Sequence, residues 1–210
     1  MALAFQTNYQ TAVAQGVKRL QARPPEVLAA LGARVTANGY CTLPVLDTVF
    51  AVDLASGRVT LATPEHEPLA DREVSLKWQI LTLHYLAGAI PLGDPADWVS
   101  FADLADGRGY ERVYEARVVK RLCKTVARER TAFVRASQGL GAQRAVWGDE
   151  GFRFQVFPRL SVIIAWYHGD DELPANASFV YPDDILSLLP VEDVIVLSEG
   201  VVSRLQGKDW

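Results

Sequence analysis

His168, Asp170, Asp171 and Glu172 stand almost side by side in WYHGDDELPANASF, residues 166–179, with Asn176 close behind. Hard oxygen ligands crowded into one turn suit magnesium or calcium. On that reading these four residues form a metal site, and the chemistry is divalent-metal-dependent hydrolysis or group transfer. The spacing does not match the calcium loop, which needs alternating ligands and a central glycine, nor the histidine pair of a zinc hydrolase. A solvated turn also leaves both carboxylates in similar surroundings, whereas acid–base work needs them to differ. The apolar runs on either side favour the simpler reading, the wet tip of a hairpin.

A second group of chemistry-bearing residues is cationic. From Arg117 to Arg135 there are seven basic residues and one acidic, whereas Asp149 to Trp210 holds eleven acidic and four basic. At helical spacing, Arg117, Lys120, Arg121, Lys124, Arg128 and Arg135 share one face opposite an apolar stripe of Ala116, Val119, Leu122, Cys123, Val126 and Phe133. Such a ridge either faces the acidic C-terminal part or takes an anion. As ligand contacts the sequence offers Arg117, Arg121, Lys124 and Arg128 from the ridge, together with Arg159 and His84. The ridge carries no stackable aromatics, which argues against nucleic acid. There is no G-x-S-x-G elbow and no phosphate-binding glycine loop. Cys123 falls in the apolar stripe, where a thiol packs and stays inert.

The elements that must position these groups follow from periodicity and punctuation. Residues 9–33 predict two short helices broken at Pro24-Pro25 and stopped at Gly32. Next, residues 34–62 predict a three-stranded meander turning at Asn38-Gly39, Leu46-Asp47 and Ser56-Gly57. DREVSLKWQILTLHYLA, Asp71 to Ala87, projects as a helix apolar on two sides, hence a central one, with His84 on a polar edge beside Lys77. A punctuated loop from Gly88 leads to a short turn at Phe101–Leu104, pinned by Trp98 and Phe101. A long helix then spans Tyr110 to Ser137. FRFQVF and LSVIIAWY predict strands, ASFVY a hairpin partner, and helices are expected at Pro182 and Pro190 with first-turn carboxylates.

The predicted class is therefore α+β: an N-terminal meander and a C-terminal hairpin packed around a central helix, with a long basic-faced helix beside them. One domain of 210 residues is expected, a helical segment over about 1–33 and a body over about 34–210. Half of the residues are hydrophobic, enough for a sizeable core, and the net charge of −4 gives no general pull toward nucleic acid or anionic membrane. Two distant cysteines, no basic-apolar leader and no long apolar run point to a reducing cytoplasm without a membrane span.

The phrases LPVLDTVFAVD, LTLHYLAGA, WVSFADLADGRGYERVYEARVVKRL, FPRLSVIIAWYHGDDELPANASFVYPD and LPVEDVIVL together resemble the bacterial and archaeal family catalogued as domain of unknown function 3786. The resemblance implies a soluble protein of the kind common in anaerobes, some members of which carry a cysteine-rich iron–sulfur segment; this chain shows no such segment. It implies no catalytic residues, and it makes FPRL, GDDELPA and HYL parts of a shared scaffold. The function expected is a binding or accessory module for an anionic small molecule, a cofactor or a redox protein partner. The sequence specifies no cofactor.

Overall fold

The computed structural model describes residues 2–90 and 95–210. The fold is α+β, with two antiparallel sheets of five strands each. Helix α1 (Ala2–Gln21) is followed by α2 (Pro25–Ala30), which opens on Pro25 at a position where the missing N–H costs nothing. Gly32 ends α2 at φ +86°, a left-handed conformation. A Cβ there would lie 2.3 Å from the ring of Pro158, so glycine lets the helix end meet the turn before Arg159.

The first sheet runs in sequence order: β1 (Arg34–Val35), β2 (Tyr40–Val45), β3 (Thr48–Asp53), β4 (Val59–Ala62) and β5 (Pro68–Glu73). All three expected turns are present, with Gly39 and Gly57 at positive φ. Leu46 also takes a positive φ, 49°, in the two-residue turn between β2 and β3. Its N–H donates to the Val156 carbonyl at 3.2 Å, which ties this turn to the second sheet. The meander is thus five strands and not three. Residues 71–73, expected to open the central helix, instead finish β5, an exposed edge strand whose register with β4 carries a bulge.

Helix α3 (Leu76–Ala87) is buried on two sides: Trp78, Leu81 and Tyr85 on one, Ile80 and Leu83 on the other. It packs against α1 and the C-terminal helix. The expected loop that follows lies partly outside the described residues, at 91–94. Beyond it come β6 (Trp98–Val99) and a 3-10 turn at Phe101–Asp103, with Phe101 buried as anticipated.

The long helix is broken. Helix α4 (Gly107–Tyr114) runs through a π turn (Glu115–Val119) into α5 (Lys120–Lys124), and the chain leaves helical geometry at Thr125 before α6 (Arg130–Gly139). The Thr125 hydroxyl donates to the Arg121 carbonyl and accepts from the Gln206 amide, so side chains satisfy the broken backbone. The π turn also shifts the phase: Val118, Leu122, Ala127 and Phe133 are buried, while Ala116 is exposed.

The second sheet has the order β6-β10-β9-β8-β7, with β7 (Gln143–Ala145), β8 (Glu150–Phe157), β9 (Leu160–Tyr167) and β10 (Asn176–Pro182). FRFQVF and LSVIIAWY are indeed strands, and WYHGDDELPANASF spans the β9–β10 connection. Pro182 ends β10 and precedes only a 3-10 turn at Ile185–Ser187, a correction to the helix expected there. Helix α7 (Val191–Leu205) does follow Pro190. Apolar side chains from both sheets, α3 and α7 join one buried cluster.

Candidate functional site

From 152 to 156 strand β8 alternates, sending Phe152, Phe154 and Val156 into the core and Arg153 and Gln155 to the opposite face. The turn Pro158-Arg159 then reverses the chain into β9. Ser161, across from Gln155 on β9, shares the face with Arg153, and the two meet diagonally: Arg153 Nε donates to Ser161 Oγ at 2.8 Å. Arg159 is held from the other side, its Nε donating to the Ala30 carbonyl at 3.0 Å and its backbone N–H to the Tyr85 hydroxyl at 3.0 Å.

These residues line a cleft of about 170 Å³, together with Pro158, Pro182 and Asp184. Each guanidinium is fixed through Nε alone, so the terminal Nη groups of Arg153 and Arg159 have no hydrogen-bond partner and no carboxylate within 4 Å among the described residues. The contrast with other arginines is chemical. Arg130 and Arg144 close on the buried Glu150, and Arg204 reaches Asp47. Arg153 also lies over the Trp98 ring, 5.4 Å from its centroid. A planar fork with its far end open is a ready receptor for a carboxylate or phosphate. Asp184 brings one acceptor to the same cleft.

The other expected contacts lie elsewhere. Arg117, from the π turn, pairs through two nitrogens with Glu199 of α7 at 2.7 Å, and Arg121 reaches Ser203 on that helix and Gln206 just past its end. This part of the ridge faces the acidic C-terminal helix, as one of the two sequence readings had it. Lys124 and Arg128 are exposed on either side of the break at Thr125, so the four cations do not form one continuous face. His84, beside α7, is bonded through Nδ1 to Asp193 Oδ2 at 2.5 Å and lines a different cleft from Arg159.

The acidic turn is farther still, at the opposite end of β9 from Arg159. The eight residues of β9 separate Arg159 from His168, roughly 30 Å of extended chain. Asp170, Asp171 and Glu172 are exposed. Asp170 Oδ1 accepts the backbone N–H groups of Leu173 and Glu172, which hold its carboxyl below the usual range. The His168 ring packs edge-on against Trp166, and the backbone N–H of His168 donates to Asp149 Oδ2. Among the described residues no three His, Cys, Asp or Glu side chains are grouped to hold one metal ion. Cys123 is half-buried 3.2 Å from Asn176 Oδ1, with its thiol pushed up by burial, in keeping with a packing role.

Sequence reasoning missed Arg153 and Ser161. The signal was present in FRFQVF, where arginine and glutamine occupy the alternate, outward positions of a strand. It also missed Asp193, read as a capping carboxylate when its side chain is committed to His84.

Among the described residues no helix is long and apolar enough to cross a membrane. No curated protein and no solved structure matches the chain. The family model described as Domain of unknown function (DUF3786) matches residues 23–204, and the chain belongs to that family.

Proposed function

We propose that this protein is a binding module for a small anion taken up between Arg153 and Arg159. The observation that carries the reading is the pair of guanidinium groups anchored at Nε, with Nη ends that have no partner among the described residues, over one concave cleft. Holding the side chains in advance lowers the ordering cost that flexible cations would incur on binding. The cleft is smaller than the sites that enclose drug-sized molecules, which favours a compact ligand. Asp184 adds an acceptor, so the best fit is a carboxylate or phosphate that also bears a hydroxyl or amino group.

Titration calorimetry with inorganic phosphate, succinate and malate tests this. One saturable site is expected, with malate bound more tightly than succinate because only malate offers a hydroxyl to Asp184. R153A and R159A should each weaken binding by about tenfold or more, since a hydrogen bond to a charged group contributes about 1.5–3 kcal/mol. Absence of saturable binding by any of the three, or wild-type affinity in both variants, would overturn the reading.

A further inference from the structure

His84 occupies the last turn of α3 and Asp193 the first turn of α7, and the contact between them defines the chemistry of the imidazole. A carboxylate only accepts, so a neutral ring carries its proton on Nδ1 and leaves Nε2 as a bare acceptor. Nε2 has no hydrogen-bond partner among the described residues. The ring is only partly exposed, 21%, and Asp193 less so at 13%, so solvent does not loosen the pair. His84 walls a cleft of about 330 Å³ whose other polar side chains are those of Arg19 and Ser187. Arg19 is exposed and makes no ion pair within the described residues. A carboxylate behind a histidine, an open lone pair in front and a cation in the same cleft are the parts of a general base that acts on a negatively charged substrate.

We propose that His84 and Asp193 form such a general-base pair, hydrolysing a small ester that carries a negative charge, with Arg19 holding the charge. His84 Nε2 takes a proton from water as the water oxygen bonds to the ester carbonyl carbon. The ester C–O bond then breaks, and the imidazolium returns the proton to the departing alcohol oxygen. The products are a carboxylic acid and an alcohol, with His84 neutral again and no other reactant consumed. Asp193 is a positioning residue that fixes the ring and its tautomer.

The test is hydrolysis of the mono-p-nitrophenyl ester of succinate, with neutral p-nitrophenyl acetate as comparison. The wild-type protein should show saturable turnover of the succinate ester and a lower kcat/KM for the acetate. H84Q should lower kcat by about 100-fold or more. D193N should lower kcat while leaving KM unchanged, a split that a mere tie between helices would not give. Arg19 lies on the surface, so R19A keeps the fold whatever the fate of the pair, and it should raise KM for the succinate ester about tenfold. No saturable hydrolysis by the wild type, wild-type kcat in H84Q, or an unchanged KM in R19A would each overturn the proposal.

Discussion

The hydroxyl of Tyr85 donates to the Leu31 carbonyl at 2.6 Å and accepts the backbone N–H of Arg159 at 3.0 Å, which links three segments at one atom. Leu31 caps the C-terminal end of α2, Tyr85 belongs to the central helix and Arg159 closes the turn into β9. Burial of this phenol raises its pKa well above the ordinary tyrosine range, so it stays a neutral donor at physiological pH.

Replacing Tyr85 by Phe keeps the ring, which stacks on Phe157 at 4.4 Å between centroids, and deletes only the hydroxyl. The Leu31 carbonyl and the Arg159 amide then lose their partner. The expected cost is about 1–3 kcal/mol in urea unfolding. Phosphate or malate affinity should fall as well, because the turn that carries Arg159 is no longer pinned.

Glu150 is buried and clamped by Arg130 and Arg144. Burial alone would raise its pKa; the hydrogen bonds from Arg144 and Arg130 outweigh it and hold the carboxyl below its usual value. A depressed folded-state pKa means that the stabilisation is complete above the unfolded value near 4.3 and is lost as pH falls through the folded value. E150Q should therefore destabilise by about 2 kcal/mol at pH 7. The gap to wild type should narrow below about pH 4, read from thermal melts across pH.

The exposed acidic turn should tolerate neutralisation. D171N and E172Q together are expected to shift stability by no more than about 0.5 kcal/mol, as surface changes away from caps and clamps usually do. A larger loss in a denaturant melt would show that these carboxylates have partners beyond the turn.

Cys41 is fully buried in β2, where desolvation pushes its thiol up to about 12. Since the thiolate is the reactive form, alkylation of the native protein by iodoacetamide at pH 8 should leave Cys41 unmodified and label Cys123 first. Peptide mass spectrometry reads the order, and labelling of Cys41 before Cys123 would contradict it.

Elements defined by local chemistry were legible in the sequence. Asn38-Gly39, Leu46-Asp47 and Ser56-Gly57 each mark a turn that forms, and the two-sided apolar pattern of α3 correctly announces a helix between layers. What failed depends on partners distant in the chain. Strand β5 shows five exposed positions out of six, so no alternation betrays it, and only β4 gives it a ladder. The break at Thr125 is held by Gln206, and the ridge loses Arg117 to Glu199, both residues of the C-terminal segment. Arg159 was named from the sequence, but its cleft needs strand β8, the end of β10 and the turn after it, which no local pattern brings together.

Helix α7 gathers side chains from far upstream: Arg117 meets Glu199 and Tyr110 meets Glu192 across 82 residues of chain, and His84 meets Asp193 across 109. The entropy of closing loops of that size has to be met before any of these contacts returns free energy. On that ground α7 is expected to dock late, so a substitution that weakens its contacts, such as E199Q, should hasten unfolding far more than it slows refolding in stopped-flow measurements.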